Sequence, residues 1–450
     1  MKNRNDFTQG NILSTLLRFA WPILAAMFLQ ALYGAVDLLV IGHFGDAAGV
    51  SAVATGSQFM QLVTVVTTGL AMGITIAIGQ AVGRGSEEDA RAAVGNGITV
   101  FLIFSAALTV LLLLFTEPVL RLLKTPAEAF AEATAYVRIC SCGAVFIVFY
   151  NVLASIFRGT GDSRTPLIVV ACAAVLNTAG DIYFIGALDM KAAGAALATV
   201  ISQGVSVGLC VLIIKKKGFR FTPSRKQLRL KKETAGNIMR LGMPIALQDG
   251  LVNISFLVIM AIVNSLGVIP SAGVGVAEKV CAFIMLVPSS FAQSLSAFVA
   301  QNFGAGRMER AKGSMLAGMK LSLAAGAVLA FLAFFHGGFF SGLFTSDTEV
   351  IAASASYLKA YAIDTLMVSF LFCFVGYFNG CGKTKFVMTQ GIIGAFGVRI
   401  PVSYFVSRVA GVTLFEIGLA TPASTVVQII LCFTFFRLLS RKTQKSADRL

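Results

Sequence analysis

Two acidic side chains in the first half of the chain interrupt long runs of apolar residues. They are Asp37 and Asp181, and Asn177 precedes Asp181 by four positions. On a helix that spacing places the amide and the carboxylate on one face. A carboxylate in the middle of a membrane span costs about 2.5–3.5 kcal/mol on insertion scales. A membrane protein therefore retains one only where it has a bonding partner or a function. Two such acids in one half of the chain indicate an ion site. The alternative is a buried Asp that bonds a neighbouring helix for packing.

The composition places these acids in a membrane protein. Hydrophobic residues make up 57% of the 450 residues and charged residues 13%, which is too little polar surface for a water-soluble protein of this length. Apolar runs of at least ~18 residues, each able to cross a hydrocarbon core about 30 Å thick, recur from end to end. Twelve transmembrane helices are predicted, at residues 16–42, 50–80, 92–116, 130–157, 165–188, 192–214, 236–264, 273–301, 312–336, 350–378, 386–409 and 415–437.

The net charge of +15 follows the membrane topology and does not indicate a nucleic-acid partner. Lys and Arg are concentrated in the N-terminal tail (Lys2 and Arg4), in the C-terminal tail (441–449) and in every second loop. The intervening loops hold few basic residues. By the positive-inside rule, both termini are predicted to face the cytoplasm of a multi-pass protein of the cell (plasma or inner) membrane.

The chain also repeats itself. Residues 18–22 (RFAWP) return 222 positions later as residues 240–244 (RLGMP), and residues 80–85 (QAVGRG) return 221 positions later as residues 301–306 (QNFGAG). Shared membrane composition alone would not keep the offset so constant. Because each repeat holds six predicted spans, both have the same orientation and should be related by a pseudo-two-fold axis along the membrane normal.

The predicted organisation follows from this repeat. An N-terminal six-helix lobe takes residues 1–214, a cytoplasmic basic linker takes residues 215–235, and a C-terminal six-helix lobe takes residues 236–450. Two roles fit the linker: it binds anionic lipid headgroups, or it is a solvated topology anchor.

Further polar residues inside the spans lie on shared helical faces. Gln30 and Tyr33 share the stripe of Asp37 in the first span, and Thr199 and Gln203 are four apart in the sixth. In the second repeat such residues are Asp249 and Asn253 in the seventh span, Glu278 in the eighth, and Tyr357, Tyr361 and Asp364 in the tenth. Interfacial anchoring is the alternative role for Glu278.

Two glycine pairs resemble fragments of a phosphate-binding loop. Gly159 and Gly161 follow the fourth span, and Gly380 and Gly382 follow the tenth. Each pair follows a membrane span rather than a strand. Gly382, Lys383 and Thr384 give a Gly-Lys-Thr, but position 377 is Tyr where the full motif G-x-x-x-x-G-K-[ST] requires Gly. We therefore predict turns in which the glycines of both pairs, Gly159 with Gly161 and Gly380 with Gly382, supply positive φ values.

In their order along the chain, these features resemble the multidrug and toxic compound extrusion (MATE) transporters over essentially the whole length. The residues that carry the likeness are Trp21, Pro22 and Asp37 in the first span, residues 158–166 (RGTGDSRTP) after the fourth, Asn177 and Asp181 in the fifth, and residues 399–401 (RIP) in the eleventh. The resemblance implies a V-shaped pair of helix bundles around a central cleft. It also implies secondary active antiport by alternating access, in which organic, often cationic, compounds are exported as Na⁺ or H⁺ enters.

Residue by residue, the family's cation site in the N-terminal lobe matches Asp37, Asn177, Asp181 and Thr199. Their carboxylate, amide and hydroxyl oxygens suit Na⁺, and two carboxylates crowded into a poorly solvated site also favour uptake of a proton. The residues assigned to the substrate cleft are Gln30, Tyr33, Gln203, Asp249, Asn253, Glu278, Tyr361 and Asp364. The chain is nearer the DinF-like bacterial branch than the NorM-like one, because the seventh span offers Asp249 and Asn253 where a NorM-like site would use Glu.

Two other functions fit parts of the pattern. A lipid-linked glycan or lipid flippase of the same superfamily would share the repeat, but it should have extra spans and several arginines in the cleft, where Arg399 stands nearly alone. A membrane-embedded enzyme would need a cluster of catalytic or metal-binding side chains, and the sequence has only two histidines, His43 and His336. We expect a transporter rather than an enzyme. It should act as a monomer on small organic cations, in contact with membrane lipid, with no cofactor besides the coupling ion.

Overall fold

The computed structural model describes residues 6–447, in which every regular element is a helix. The basic tail residues Lys2, Arg4 and Arg449 lie outside this range. The helices are α1 (Ile12–Phe44), α2 (Ala47–Gly83), α3 (Glu87–Leu122), α4 (Ala127–Cys142), α5 (Ala144–Gly159), α6 (Arg164–Asp181), α7 (Lys191–Lys217), α8 (Lys232–Asn264), α9 (Val268–Ile284), α10 (Leu286–Gly304), α11 (Met308–Gly342), α12 (Thr348–Gly380), α13 (Thr384–Ile392), α14 (Ile400–Val406), α15 (Leu414–Gly418) and α16 (Ala420–Ala447). Two π-helical segments, Ile182–Ala187 and Ile393–Arg399, follow α6 and α13.

These helices account for the predicted spans. Within the described residues, eleven helical segments are long and apolar enough to cross a membrane, and α4 with α5 makes a twelfth if this pair, bent by 49°, is taken as one span. The other short helices combine with their neighbours into single spans, as α9 does with α10. The predicted class, an all-α polytopic membrane protein, is confirmed.

The chain forms two compact units. The first takes Met1–Ala246 and Ala300–Arg307, and the second takes Leu247–Val299 and Met308–Leu450. The lobe boundaries drawn from the repeat stay a prediction. In the first unit, α2, α3 and α5 bury Ile74, Phe101 and Ile156 in one core. In the second, α8, α9 and α12 pack around side chains such as Val274 and Leu358.

Side chains at the helix starts provide the hydrogen bonds that the first backbone N–H groups lack. Asn11 accepts from the Ser14 N–H, Asp46 from the Gly49 N–H, and Ser86 from the Asp89 N–H. Such caps are each worth about 0.5–2 kcal/mol. They fix where α1, α2 and α3 begin.

Helices α5 and α12 end in the same way, 221 positions apart. The Asp162 N–H donates to the Phe157 carbonyl at 2.9 Å, and the Lys383 N–H donates to the Phe378 carbonyl at 2.8 Å. This six-to-one bond needs a left-handed residue before the donor, and Gly161 (φ +89°) and Gly382 (φ +71°) supply it. The predicted positive φ is confirmed for Gly161 and Gly382 and is wrong for Gly159 and Gly380, which are the last residues of α5 and α12. The sequence repeat thus extends to the backbone.

A second pair of related glycines allows two helix ends of the first unit to touch. A Cβ on Gly83 of α2 would lie 1.9 Å from the Gln301 carbonyl oxygen, and one on Gly304 of α10 would lie 2.1 Å from the Gln80 carbonyl oxygen. Small residues at such crossings permit backbone contact, which supplies much of the packing energy between membrane helices.

We expect the Gly83→Ala variant to lose thermal stability, by about 1–3 kcal/mol, because the new methyl group collides with backbone and not with a movable side chain. Gly236→Ala is the matched control. A Cβ on Gly236 of α8 would meet no heavy atom within 4 Å, so this change should be neutral or should add about 0.5–1 kcal/mol of helix propensity. Thermal unfolding of the purified variants checks both, and equal melting temperatures would contradict the close crossing.

Candidate cation-binding site

Three helices of the first unit bring the four predicted cation ligands together. Helix α6 packs against both α1 and α7, so Asp37 lies beside Asp181, Asn177 and Thr199. The Asn177 Nδ2 group donates to Thr199 Oγ1 at 3.5 Å. Asp37, Asn177 and Asp181 are 4%, 1% and 0% exposed, so the cluster is withdrawn from water.

Four oxygens of this cluster are buried without a hydrogen-bond donor among the described residues. They are Asp37 Oδ1, Asn177 Oδ1 and both carboxylate oxygens of Asp181. A buried acceptor without a partner costs about 1–3 kcal/mol, more when it is charged. Buried polar groups are otherwise almost always satisfied. Carboxylate, amide and hydroxyl oxygens are hard ligands, so the set fits an alkali cation, and a proton held between the two carboxyl groups would also supply a donor.

A π-helical segment begins directly after Asp181. Its wider turn is seen in the Leu188 N–H, which donates to the Tyr183 carbonyl five residues back at 3.1 Å. Such segments are rare and recur at functional sites. In sequence, residues 182–188 read as a continuous apolar helix, so nothing in the residue types predicts this feature.

An ion-pair network holds the chain that follows this π segment. The Lys191 ammonium lies 2.9 Å from Asp46 Oδ2 and 3.4 Å from Glu132 Oε1. The Gly49 N–H and the Lys191 ammonium together hold the pKa of Asp46 below its usual range. Asp189 and Lys191 have positive φ values of 51° and 48°, which is uncommon for residues with a side chain. The network therefore ties the start of α7 to α2 and α4, and so positions the segment between Asp181 and Thr199.

Three residues assigned to substrate contact lie in the first unit. The Gln203 Nε2 group donates to the Tyr33 hydroxyl oxygen at 3.4 Å, and among residues 6–447 its Oε1 atom is buried without a donor. Tyr33 lies one helical turn before Asp37 on α1, and Gln30 is half-buried on the same helix. Tyr33 and Gln203 thus extend the polar cluster along α1 and α7.

The other five lie in the second unit. Asn253 donates to the backbone carbonyl of Asp249 at 2.8 Å, so the described bond does not join the two side chains. Asp364 accepts from Thr425 Oγ1 at 2.6 Å, and Glu278 Oε1 is buried with no donor in the part of the chain that the structure describes. The ring of Tyr361 packs on that of Tyr357, 5.4 Å between centroids. The sequence did not assign Thr425 to the site, because its neighbour Asp364 is 61 positions away.

Comparison with known proteins gives a family. The MatE family model matches residues 22–183 and residues 244–405, more than half of the chain. The second match lies 222 positions after the first, which confirms the internal repeat. The branch within the family stays a prediction.

Relatives and solved structures match nearly the full length. The chain is 27% identical to the Probable multidrug resistance protein YoeA of Bacillus subtilis, over 95% of this chain and 94% of the relative. It is 25% identical to the Probable multidrug resistance protein NorM of Thermotoga maritima, over 96% and 93%. The solved structure described as MATE in the bent conformation is 19% identical, with a TM-score of 0.93 and coverage of 100% of both chains. With the double family match, the conclusion is that this chain belongs to the multidrug and toxic compound extrusion family of transporters.

Proposed function

We propose that the protein is a secondary active antiporter that exports small organic compounds in exchange for Na⁺ or H⁺ by alternating access. The observation that carries this is the buried cluster of Asp37, Asn177, Asp181 and Thr199, with its unpartnered oxygens, in a member of the MATE family. The names of two relatives, Probable multidrug resistance protein YoeA and Probable multidrug resistance protein NorM, support multidrug efflux. No feature of the described residues favours the flippase alternative.

The cluster suits ion coupling for an electrostatic reason. Asn177 donates through Nδ2 to Thr199, which leaves its own Oδ1 atom available as a ligand. With Asp37 and Asp181 ionised, the buried oxygens carry two charges at high cost, and a bound cation would neutralise part of that charge. A conformation that holds the cation is then favoured over one that loses it, which is the differential affinity that coupling requires.

We further propose organic cations as the substrates, the cell membrane as the location, and a monomer as the working form. The support for cationic substrates is the acidic Glu278 and Asp364 in the second unit. The basic linker, residues 215–235, supports cytoplasmic termini and a contact with anionic lipid headgroups.

Uptake into proteoliposomes, driven by an imposed ion gradient, tests the function. Purified protein is reconstituted, and uptake of labelled tetraphenylphosphonium is followed under an imposed Na⁺ gradient and, separately, an imposed pH gradient. We expect accumulation against the substrate gradient with one of the two ions. If neither the Na⁺ gradient nor the pH gradient increased uptake above its level without a gradient, the antiport proposal would be overturned.

The proposed topology has its own test. In a variant without the eight native cysteines, a cysteine at Gly161 or Lys226 should resist an impermeant thiol reagent in intact cells. A cysteine at Ala47 should react. Labelling of the Lys226 position from outside would reverse the orientation.

A further inference from the structure

The pre-α1 segment, residues 6–8, is bound to the last turn of α10. The Phe7 N–H group donates to Gln301 Oε1 at 3.3 Å, and the Phe7 carbonyl accepts from Asn302 Nδ2 at 3.1 Å. Two neighbouring side chains of α10 therefore satisfy both backbone polar groups of Phe7. A buried backbone group without a partner is costly, so this pairing fixes the segment in one position.

One aromatic ring anchors the segment. Phe7 is 2% exposed, and its ring packs edge-on against Phe19 of α1, with 4.7 Å between centroids. Arg307, after α10, donates to the Thr8 carbonyl, and the Asp6 carboxylate accepts from the Thr8 N–H group at 2.8 Å. Asp6 and Thr8 are themselves half-buried. The segment is thus held by a single buried ring and a few polar bonds, which can be released without repacking a helix.

These bonds lie at the point where α2 and α10 cross. A Cβ on Gly83 would meet the Gln301 carbonyl, and one on Gly304 would meet the Gln80 carbonyl. The two contacts are related by the repeat offset of 221, and such reciprocal contacts are typical of a two-fold axis. The Gln301 side chain also donates from Nε2 to the Gly159 carbonyl of α5 at 3.1 Å. Gln301 therefore joins the pre-α1 segment to helix ends at a crossing between the two repeats.

The side chains that bind the segment are absent from the equivalent positions of the first repeat. Asn302 corresponds to Ala81, which has no polar side-chain group. Arg307 corresponds to Ser86, which caps α3. Both repeats cross at equivalent glycines, so the crossing alone does not require Asn302 or Arg307. The bonds that these two residues make to the pre-α1 segment are therefore an addition to the shared fold.

We propose that the pre-α1 segment is a latch that stabilises the closed crossing of α2 and α10, and that its release permits opening to the cytoplasm. The segment leads into α1 of the first repeat, and the residues that bind it belong to the second. Movement of one repeat against the other on the cytoplasmic side would have to break these bonds. A contact made in one conformation and lost in the other biases the equilibrium between them. This inference rests on the alternating access and the topology proposed above.

The test measures how readily the crossing opens in purified full-length protein in lipid nanodiscs. In a variant without the eight native cysteines, Ala300 is replaced by Cys as a reporter. Ala300 is 0% exposed and lies one turn before Gly304 on the same face of α10. A water-soluble maleimide should therefore reach this thiol only when the crossing is open, so the labelling rate reports the open fraction.

Phe7→Ala should raise the labelling rate roughly tenfold, which corresponds to about 1.4 kcal/mol in favour of the open state. Arg307→Ser, which introduces the residue type of the first repeat, should change the rate in the same direction. Leu13→Ala is the matched control, because Leu13 is an exposed apolar side chain near the start of α1, and it should leave the rate unchanged. A second reporter, Ala133→Cys, is placed at a 0% exposed position of α4 in a different core cluster. It should stay slow to label in every variant.

Two results would contradict the proposal. The first is an unchanged rate at the Ala300 reporter in both Phe7→Ala and Arg307→Ser. The second is an equal acceleration at Ala133, which would mean that the segment stabilises the fold as a whole and not the crossing. If Phe7→Ala does not fold, Arg307→Ser decides, since Arg307 is exposed and its replacement leaves no buried cavity. An unchanged labelling rate with normal gradient-driven uptake would remove the latch and leave the antiport proposal standing.

Discussion

Asp181→Asn is expected to reduce gradient-driven export to the level of liposomes without protein, while the variant stays folded and still binds substrate. The reason is that both Asp181 carboxylate oxygens are buried without a donor among the described residues, so the charge has no structural partner to lose. Its removal relieves a burial cost of about 2.5–3.5 kcal/mol on insertion scales. Stability should therefore hold or rise. Transport should fail because Asn neither takes up a proton nor offers a full charge to Na⁺, and the site then loses its power to bias the conformational equilibrium.

Asp189→Asn is the matched control for this variant. Asp189 is exposed and has a positive φ of 51°, a conformation that Asn also tolerates, so this variant should export at the wild-type rate. Thermal stability, substrate binding and gradient-driven uptake are measured on the same preparations. An Asp181→Asn protein that unfolds easily would favour the packing role, and one that exports at full rate would place the coupling site elsewhere.

Part of the candidate site could be proposed from the sequence alone, for identifiable reasons. The spacing of Asn177 and Asp181 sets them on one helical face without any tertiary information. The grouping of both with Asp37 and Thr199 came from the family resemblance, because spacing within α6 says nothing about its neighbours α1 and α7. The glycine turns at Gly161 and Gly382 were predictable from backbone sterics alone.

Other features were beyond the sequence because they depend on contacts between distant positions. Lys191 reads as an isolated loop residue, and only the fold places it between Asp46 and Glu132, 145 and 59 positions away. The π-helical segments interrupt apolar runs that have no unusual composition. Arg399 was recognised as part of a motif, but its contacts with Ser255 and Phe256 depend on how α8 packs in the second unit.

The same limit applies to helix boundaries at short breaks. The fourth predicted span is two helices that bend by 49°, and the eighth is two helices, α9 and α10, with α10 beginning two residues after α9 ends. Hydropathy averages across such breaks. Composition therefore predicts that a segment crosses the membrane, while local packing decides whether it bends.

A cycle of Asp37→Asn, Asp181→Asn and the double variant should be strongly non-additive in thermal stability. The two carboxylates lie beside each other and act on each other electrostatically, so either single change removes the whole of their mutual repulsion. Each single variant should melt above the wild type, and the double variant should melt well below the sum of the two increases. Coupling between contacting groups is typically about 0.5–3 kcal/mol.

The cycle is run in sodium-free buffer at alkaline pH, so that neither Na⁺ nor a proton neutralises the pair, and is repeated in NaCl. If Na⁺ binds the pair, it should raise the melting temperature of the wild type and leave the double variant unchanged. A control cycle pairs Asp37→Asn with Asp347→Asn, a helix cap in the second unit. That pair should be additive within about 0.3–0.5 kcal/mol, as expected for independent sites. Additivity in the Asp37 and Asp181 cycle would mean that the two acids act separately, and a single shared cation site would then be wrong.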